Sequence, residues 1–469
     1  MHASPSPSVA PAASQSWLSH VAATMVLAVP LIGTQLAQMA MGVTDTVMLG
    51  WLGAPELAGS VLGTQAFFLV FIFGAGFAHA MMPLAAAAEG AGDPRSLRRA
   101  VRMGLWVLVG YGVLVMLPLW YTERILLALG QAPEIAGLAG AFMRAAQWSM
   151  APALILLGMR SYLTVVGRAY VVLAVIAVGA LINGLLNYAL IFGHFGAPAL
   201  GIVGSGLATT LSNFGMALLL VGYAAGDRSL RRYELFARFW RPDWGPLREV
   251  LRLGWPIGVT IIAEVGLFAS SSVMMGWLGT VPLAAHGIAL QIASIAFMIP
   301  LGISNAATVR VGVALGRGDE ADLGRAGTTA LLIAIAVALV GATVFWIWPR
   351  TLIGFYLDPA NANAEAVLAY AVPLLLVAAA FQTVDSLQAV ASGILRGVKD
   401  TRVPLVMALV SYWGIGLPVA WVLGIYAGFG GLGIWVGLAL GLAVAAVLLN
   451  GRFLMRDRLG LVRPEAARA

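Results

Sequence analysis

The sequence predicts an all-α integral membrane protein: twelve transmembrane helices in two pseudo-symmetric six-helix lobes around a central cavity. Three observations carry this. Hydrophobic residues make up 61% of the 469 positions and charged residues only 10%, and the mean hydropathy of +0.92 lies far outside the range of an ordinary soluble domain. The apolar residues fall into a dozen continuous runs. Each is long enough for the roughly 20 residues a helix needs to cross a bilayer, and none alternates as a β-barrel strand would. Finally, the chain repeats itself. Val47-Met48-Leu49-Gly50-Trp51-Leu52-Gly53 returns 226 residues later as Val273-Met274-Met275-Gly276-Trp277-Leu278-Gly279. The same offset lays Pro30 on Pro256, Leu57-Ala58 on Leu283-Ala284, Gln65 on Gln291, and Gly90-x-Gly92-Asp93 on Gly316-x-Gly318-Asp319.

Taken in order, residues 1–19 are rich in Ser, Pro and Ala, lack the basic start and short apolar core of a signal peptide, and read as a disordered tail. Spans are expected at 20–49, 57–83, 99–121, 136–158, 170–193 and 200–224, which form an N-lobe over 20–224. The second set, at 249–278, 283–309, 326–348, 366–395, 403–427 and 431–451, forms a C-lobe over 249–451. Between them, 225–248 is charged and rich in Trp and Phe, as expected of a linker along a membrane surface. Residues 452–469 form a basic tail. Six spans per half is an even number, so both halves enter from the same side, as parallel repeats about an axis along the membrane normal.

Orientation follows from the basic residues. Arg95, Arg98 and Arg99 follow span two, Arg160 and Arg168 flank the loop after span four, and Arg228, Arg231, Arg232, Arg238 and Arg241 follow span six. Arg310 and Arg317 follow span eight, Arg396, Lys399 and Arg402 follow span ten, and Arg452, Arg456 and Arg458 follow span twelve. Loops after odd-numbered spans carry little more than Arg124 and Arg350. The positive-inside rule therefore expects both termini in the cytoplasm. The formal charge of +7 is read as this topology signal, not as a nucleic-acid-binding face. The chain has no cysteine, which excludes disulfides, thiolate metal sites and thiol chemistry. Gly90-Ala-Gly-Asp and Gly316-Arg-Gly-Asp are loops and not phosphate cradles, since no strand precedes them.

Ionisable groups deep in the spans are few: Asp45, Glu264 and Asp385. A charge at the centre of a spanning helix costs about 2.5–3.5 kcal/mol on insertion scales. Such an acid either exchanges a proton or cation, as ion coupling requires, or serves as a static hydrogen-bonding partner. The two halves charge different turns, because Glu264 aligns with Gln38 and Asp45 with Ser271. Near Asp45 the first half offers Asn183 and Asn187, four apart on one helix face, and Thr209. These neutral oxygens suit a hard monovalent cation or a proton network, and an Asn pair serves equally as interhelical glue. Phe381, one turn before Asp385, either adds a cation–π wall or simply packs. His79, His286 and Arg144 are single polar groups of the kind that commonly join helices.

In these residues the chain resembles the multidrug and toxic compound extrusion (MATE) family, in its NorM-type bacterial branch. The resemblance covers about residues 20–455. It rests on Gln35, Gln38 and Asp45-Thr-Val-Met-Leu-Gly in span one, and on Pro256-Ile257-Gly258 with Glu264 in span seven. It continues through Leu-Ala-Ala-His286 at the start of span eight, Asp385 in span ten and Arg396-Gly-x-x-Asp400-Thr401 beyond it. The resemblance implies a secondary antiporter of the bacterial inner membrane that exports amphipathic organic cations by alternating access, driven by Na+ or H+. No other cofactor or metal is implied, and the protein is expected to be a monomer and not an enzyme. By analogy, Glu264 and Asp385 fall on the acidic cation site of the second lobe, and Asp45, Asn183, Asn187 and Thr209 on the polar cluster of the first. Gln38, Gln65, Gln291, Phe381 and His286 are candidates for the substrate cavity. Asn187 matches the NorM-type branch, where the DinF-like branch has Asp. Two positions depart from the pattern: Gly287 stands where the family often has Gln, and Phe381 where a tyrosine is common. Two rival readings are a flippase for polyprenyl-linked sugars, expected to have more spans or a more basic cavity, and a membrane-embedded transferase or hydrolase, which would need a cluster of catalytic residues at one membrane face.

Overall fold

The structure is a computed structural model and describes residues 16–358 and 362–462. Most of the expected N-terminal tail (1–15) and the end of the basic C-terminal tail (463–469) lie outside the described residues. Among the described residues all regular structure is helical. The first half runs α1 (Trp17–Gly50), α2 (Ala54–Gly90), α3 (Pro94–Trp120), α4 (133–165), α5 (Ala169–Phe192) and α6 (Ile202–Gly226). The second runs α7 (Trp244–Leu278), α8 (Thr280–Arg317), α9 (Glu320–Ile347), α10 (Ala364–Gly397), α11 (Arg402–Tyr426) and α12 (Gly430–Leu454). Eleven of these are long and apolar enough to span a bilayer. The twelfth, α4, is interrupted by a single 3-10 turn at Gln147–Ser149, just before Pro152, whose missing N–H prevents a continuous α-helical ladder there.

Two boundaries differ from expectation. Ser16 caps α1 by accepting a hydrogen bond from the Ser19 backbone N–H, so residues 17–19 form the first helical turn and not the end of a tail. The linker shortens to 227–243, and part of it packs against the N-lobe. Leu230, Tyr233 and Leu235 are buried in that lobe's core, Tyr233 donates to Glu89 at 2.8 Å, and Trp240 and Trp244 stay exposed. Arg98 pairs with Glu234 at 2.6 Å and Arg99 with Asp243 at 2.5 Å, holding the Asp243 carboxyl below the usual carboxylate range.

The internal repeat is visible in the backbone. The turns from α1 to α2 and from α7 to α8 both pass through glycine in the left-handed region, Gly53 at φ 155° and Gly279 at φ 123°. The two halves also meet through related contacts. Gly90 of α2 lies against the backbone of Val313 on α8, and Gly316 of α8 lies against the backbone of Ala87 on α2. Ala87 and Val313 are themselves 226 residues apart, so these two contacts exchange under the repeat. A methyl group at either glycine would overlap a carbonyl.

This seam lies at the end of the bundle where the arginine-rich loops gather. There the apolar cores cross between lobes. One joins α2, α3, α4 and α6 with Val250, Leu253 and Ile257 of α7, and another joins Ala28 and Leu31 of α1 with α8, α9, α10 and α12. Arg310 of α8 clamps the start of α1, donating to the His20 carbonyl at 2.9 Å and Thr24 Oγ1 at 2.7 Å. At the opposite end the lobes keep separate cores, one around Phe142 and Ile202, the other around Trp435 and Tyr412. The lobes thus close on each other at the arginine-rich end and part towards the other.

Gly316→Val should disturb this seam. Overpacking a tight contact costs about 1–3 kcal/mol, so the unfolding midpoint of the purified protein should fall, whereas Gly341→Val, on α9 with open space beside it, should leave it unchanged. Equal midpoints for both variants would show that the α2–α8 contact contributes nothing.

Candidate functional site

The polar residues of the first half converge. Asp45 Oδ1 accepts a hydrogen bond from Asn187 Nδ2 at 2.6 Å, and the same nitrogen lies 3.1 Å from Asn183 Oδ1. Both asparagines are fully buried, while Asp45 is half-buried on the wall of a cavity of about 200 Å³. Thr209, Gln65, Ser60 and Ser205 line the same cavity. The four-residue spacing on α5 sets both amides on one face, towards α1. Asn187 Oδ1 is buried without a hydrogen-bond donor among the described residues. One carboxylate with amide and hydroxyl oxygens makes a donor set for a hard cation, with no sulfur or imidazole.

The second half places its two acids together. Glu264 on α7 and Asp385 on α10 interact electrostatically with one another, and Tyr412 on α11 feels both. Gln388 donates to the Tyr412 hydroxyl at 2.5 Å. Asp385 is buried, and its Oδ1 has no donor among the described residues. Arg396, from the end of α10, interacts with Glu264 through space and donates to Ser304 Oγ at 3.0 Å.

Two cavity candidates are placed elsewhere. His286 is buried at 1% exposure, accepting from Trp435 Nε1 at its Nδ1 (3.1 Å) and meeting Ser272 Oγ at its Nε2 (3.1 Å). Phe381 packs edge-to-face against Trp435 and Phe268, with ring centroids 5.4 and 5.9 Å away. Both belong to the packed core of the C-lobe and not to a cavity wall, because a satisfied aromatic cluster has already taken up their surfaces. Gln65 lines the N-lobe cavity, and Gln38 and Gln291 are half-buried. Arg144 forms an exposed ion pair with Glu123 at 3.1 Å.

Arg160 is the residue sequence reasoning misplaced. It belongs to no loop: it is 4% exposed within α4 and donates to Gln35 Oε1 at 2.7 Å and Gln38 Oε1 at 3.1 Å on α1. Its flanks, Leu-Ile-Leu-Leu-Gly-Met before and Ser-Tyr-Leu-Thr-Val-Val after, are those of a helix interior, and that was the available signal. The repeat also gives the arrangement a meaning. Gln38 and Glu264 are equivalent positions: Gln38 accepts a hydrogen bond from Arg160 of the fourth span of its half, and Glu264 lies in the electrostatic field of Arg396, from the fourth span of the second half. His79 on α2 interacts with both arginines.

A sequence profile for the MatE family matches residues 30–189 and again 256–422. The two matches begin at Pro30 and Pro256, the prolines that the 226-residue offset pairs. The chain belongs to the MATE family. It is 52% identical over 438 residues to the probable multidrug resistance protein NorM of Rhizobium meliloti (strain 1021), covering 93% of this chain and 94% of that protein. To the protein of the same name from Agrobacterium fabrum it is 50% identical over 445 residues, 95% of this chain and 96% of the relative. Among solved structures, the eukaryotic MATE transporter AtDTX14 superposes with a TM-score of 0.85 at 22% identity, covering 95% of this chain and 98% of that one. A MATE in complex with MaL6 superposes at 0.86 and 19%, covering 94% and 97%. The fold is thus the twelve-helix, two-lobe MATE fold, and this MATE protein is a membrane transporter and not an enzyme.

His286→Phe keeps the ring's bulk and removes its hydrogen bonds. It should destabilise the protein by about 1–3 kcal/mol, seen as a lower unfolding midpoint, with the KM for transported substrate unchanged. A raised KM at unchanged stability would put the imidazole on the substrate path.

Proposed function

We propose that this MATE protein is a secondary active multidrug exporter of the bacterial inner membrane. It would expel amphipathic organic cations in exchange for inward flow of Na+ or H+, with both termini and the arginine-rich loops in the cytoplasm. The observation that carries the reading is one shared by both lobes: each holds a carboxylate site with a buried oxygen that no donor satisfies among the described residues, Asn187 Oδ1 beside Asp45 in one and Asp385 Oδ1, in the field of Glu264, in the other. A buried oxygen without a donor favours uptake of a proton or cation, and two nearby carboxylates make simultaneous ionisation costly, so that one of them takes up a positive partner. The names of the curated relatives, probable multidrug resistance protein NorM, support the substrate class.

In mechanism, the lobes hinge about the seam of α1, α2, α7 and α8, as repeats about a common axis do in alternating access. With the arginine-rich end shut, the carboxylate sites are reached from the opposite face. There an incoming cation displaces the outgoing organic cation by competing for the same negative charge. Asn183, Asn187 and Thr209 supply neutral oxygens around Asp45. Asp385 and Glu264 hold the exchanging charge in the C-lobe, and Arg396 offsets Glu264 once it is ionised.

Efflux of ethidium from proteoliposomes under an imposed Na+ or H+ gradient tests this. One gradient should drive export, and Glu264→Ala or Asp385→Ala should reduce the rate by at least about tenfold while leaving membrane insertion intact. Full efflux in both variants would remove the C-lobe acids from coupling. Failure of either gradient to move any cationic dye in the unaltered protein would remove the substrate class.

A further inference from the structure

Beyond transport, the arginine-rich end holds a cavity of about 750 Å³ where the ends of α2, α7, α8, α10, α11 and α12 meet. It is lined by five cations, Arg252, Arg317, Lys399, Arg402 and Arg452, and by two carboxylates, Glu249 and Asp400. Both carboxylates are already engaged: Lys399 Nζ lies 3.3 Å from Glu249, and Arg452 Nε lies 2.5 Å from Asp400. Arg317 reaches Asp322 only at 3.8 Å, and that carboxylate also meets His20 and Arg310. Arg252 and Arg402 have no carboxylate within ion-pair distance among the described residues. The cavity therefore carries uncompensated positive charge next to the seam.

A second observation points to what fills it. Thr401 lines the cavity and is only 5% exposed, yet its hydroxyl has no hydrogen-bond partner among the described residues. Thr401 is also the residue preceding α11, and its side chain makes no cap to that helix. The first N–H groups of α11 are thus left without a side-chain acceptor beside a buried hydroxyl and two free guanidinium groups. A tetrahedral oxyanion answers all three needs: it accepts from the hydroxyl and from helix N-terminal N–H groups, and it pairs with guanidinium forks. A carboxylate from within the chain would supply fewer acceptors, and the two nearby are taken.

We propose that this cavity is a binding site for a phosphate group, held by Thr401, the start of α11, Arg252 and Arg402. The phosphate comes either from the headgroup of an anionic phospholipid or from a free phosphate species. Basic pockets between spanning helices are suited to lipid headgroups. Ala87 and Ala91 of α2 also line the cavity, so the anion held by these C-lobe residues lies next to α2, beside the Gly316–Ala87 contact.

The test uses the full-length protein and reads binding, so it is independent of whether transport is reconstituted. The unfolding midpoint is titrated with phosphatidylglycerol against phosphatidylcholine, and separately with inorganic phosphate against chloride at equal ionic strength. Four proteins are compared: the unaltered chain, Arg252→Gln/Arg402→Gln, Thr401→Val, and a control, Arg228→Gln/Arg241→Gln, which removes equal charge from the linker. Saturable stabilisation by phosphatidylglycerol alone assigns a lipid headgroup, and saturable stabilisation by inorganic phosphate assigns the free ion. In either case the half-saturating concentration should rise roughly tenfold or more in the double arginine variant and severalfold in Thr401→Val, which keeps the shape and drops the hydroxyl, while the control follows the unaltered protein. The proposal is overturned if neither anion stabilises the unaltered chain, or if the linker control weakens binding as much as the cavity variants. Should the double variant not fold, the titration of the unaltered chain and Thr401→Val decide by the same criteria.

Discussion

The closed seam between the lobes is the constraint on which the rest of the architecture depends. Two glycines, Gly90 and Gly316, let α2 and α8 approach so closely that the backbone of each lies against the other. Without a strong hydrophobic drive between helices in lipid, small residues and close van der Waals packing carry such an interface. From this contact follow the cores that cross the lobe boundary at one end, the separate cores at the other, and the access of the Asp45 cavity from the side away from the arginines. The clamp of Arg310 on the start of α1 acts in the same direction, fixing a polar cluster over an apolar seam.

The repeat shapes the chemistry as much as the scaffold. Equivalent turns of α1 and α7 carry Gln38, which accepts a hydrogen bond from Arg160, and Glu264, which feels the charge of Arg396, each arginine coming from the fourth span of its half. In the N-lobe the pair is neutral amide with cation, and Arg160 has no carboxylate in contact among the described residues; in the C-lobe the acid itself is present. The N-lobe instead carries its acid at Asp45, whose counterpart Ser271 lies 3.4 Å from the buried His286. One ancestral frame thus supports two different electrostatic sites, and a molecule that moves its lobes relative to one another can load them differently. The broken α4 and the wide π-helical turns of α11 at Val410–Gly416 and Val422–Tyr426 fall in spans that flank these sites, where irregular winding is common at functional positions.

Much of this was legible in the sequence because a bilayer imposes simple rules. Apolar runs of sufficient length, the alternation of arginines and the 226-residue offset led to twelve spans in two halves. The sparse acids marked Asp45, Glu264 and Asp385, because any charge in such runs is costly. The Asn183–Asn187 spacing puts both amides on one helix face, and in the structure that face turns towards Asp45. Less legible are residues whose type does not tell which neighbour they have. For His286 and Phe381 the sequence leaves a packing role and a place on a cavity wall both open, and Trp435, distant along the chain, takes both into a core. Arg160 reads from sequence as a loop residue because arginine in a membrane protein usually is one, and its glutamine partners lie more than 120 positions away.

Sequence alone determined the class, the repeat, the number of spans and the rarity of buried charge, since each is a local property set by transfer of side chains from water to lipid. Only the tertiary structure decided which polar groups share a site, which end of the bundle is closed, and which residues line a cavity. Those depend on contacts between helices distant in sequence, where burial and hydrogen-bond satisfaction follow from the partner and not from the residue itself.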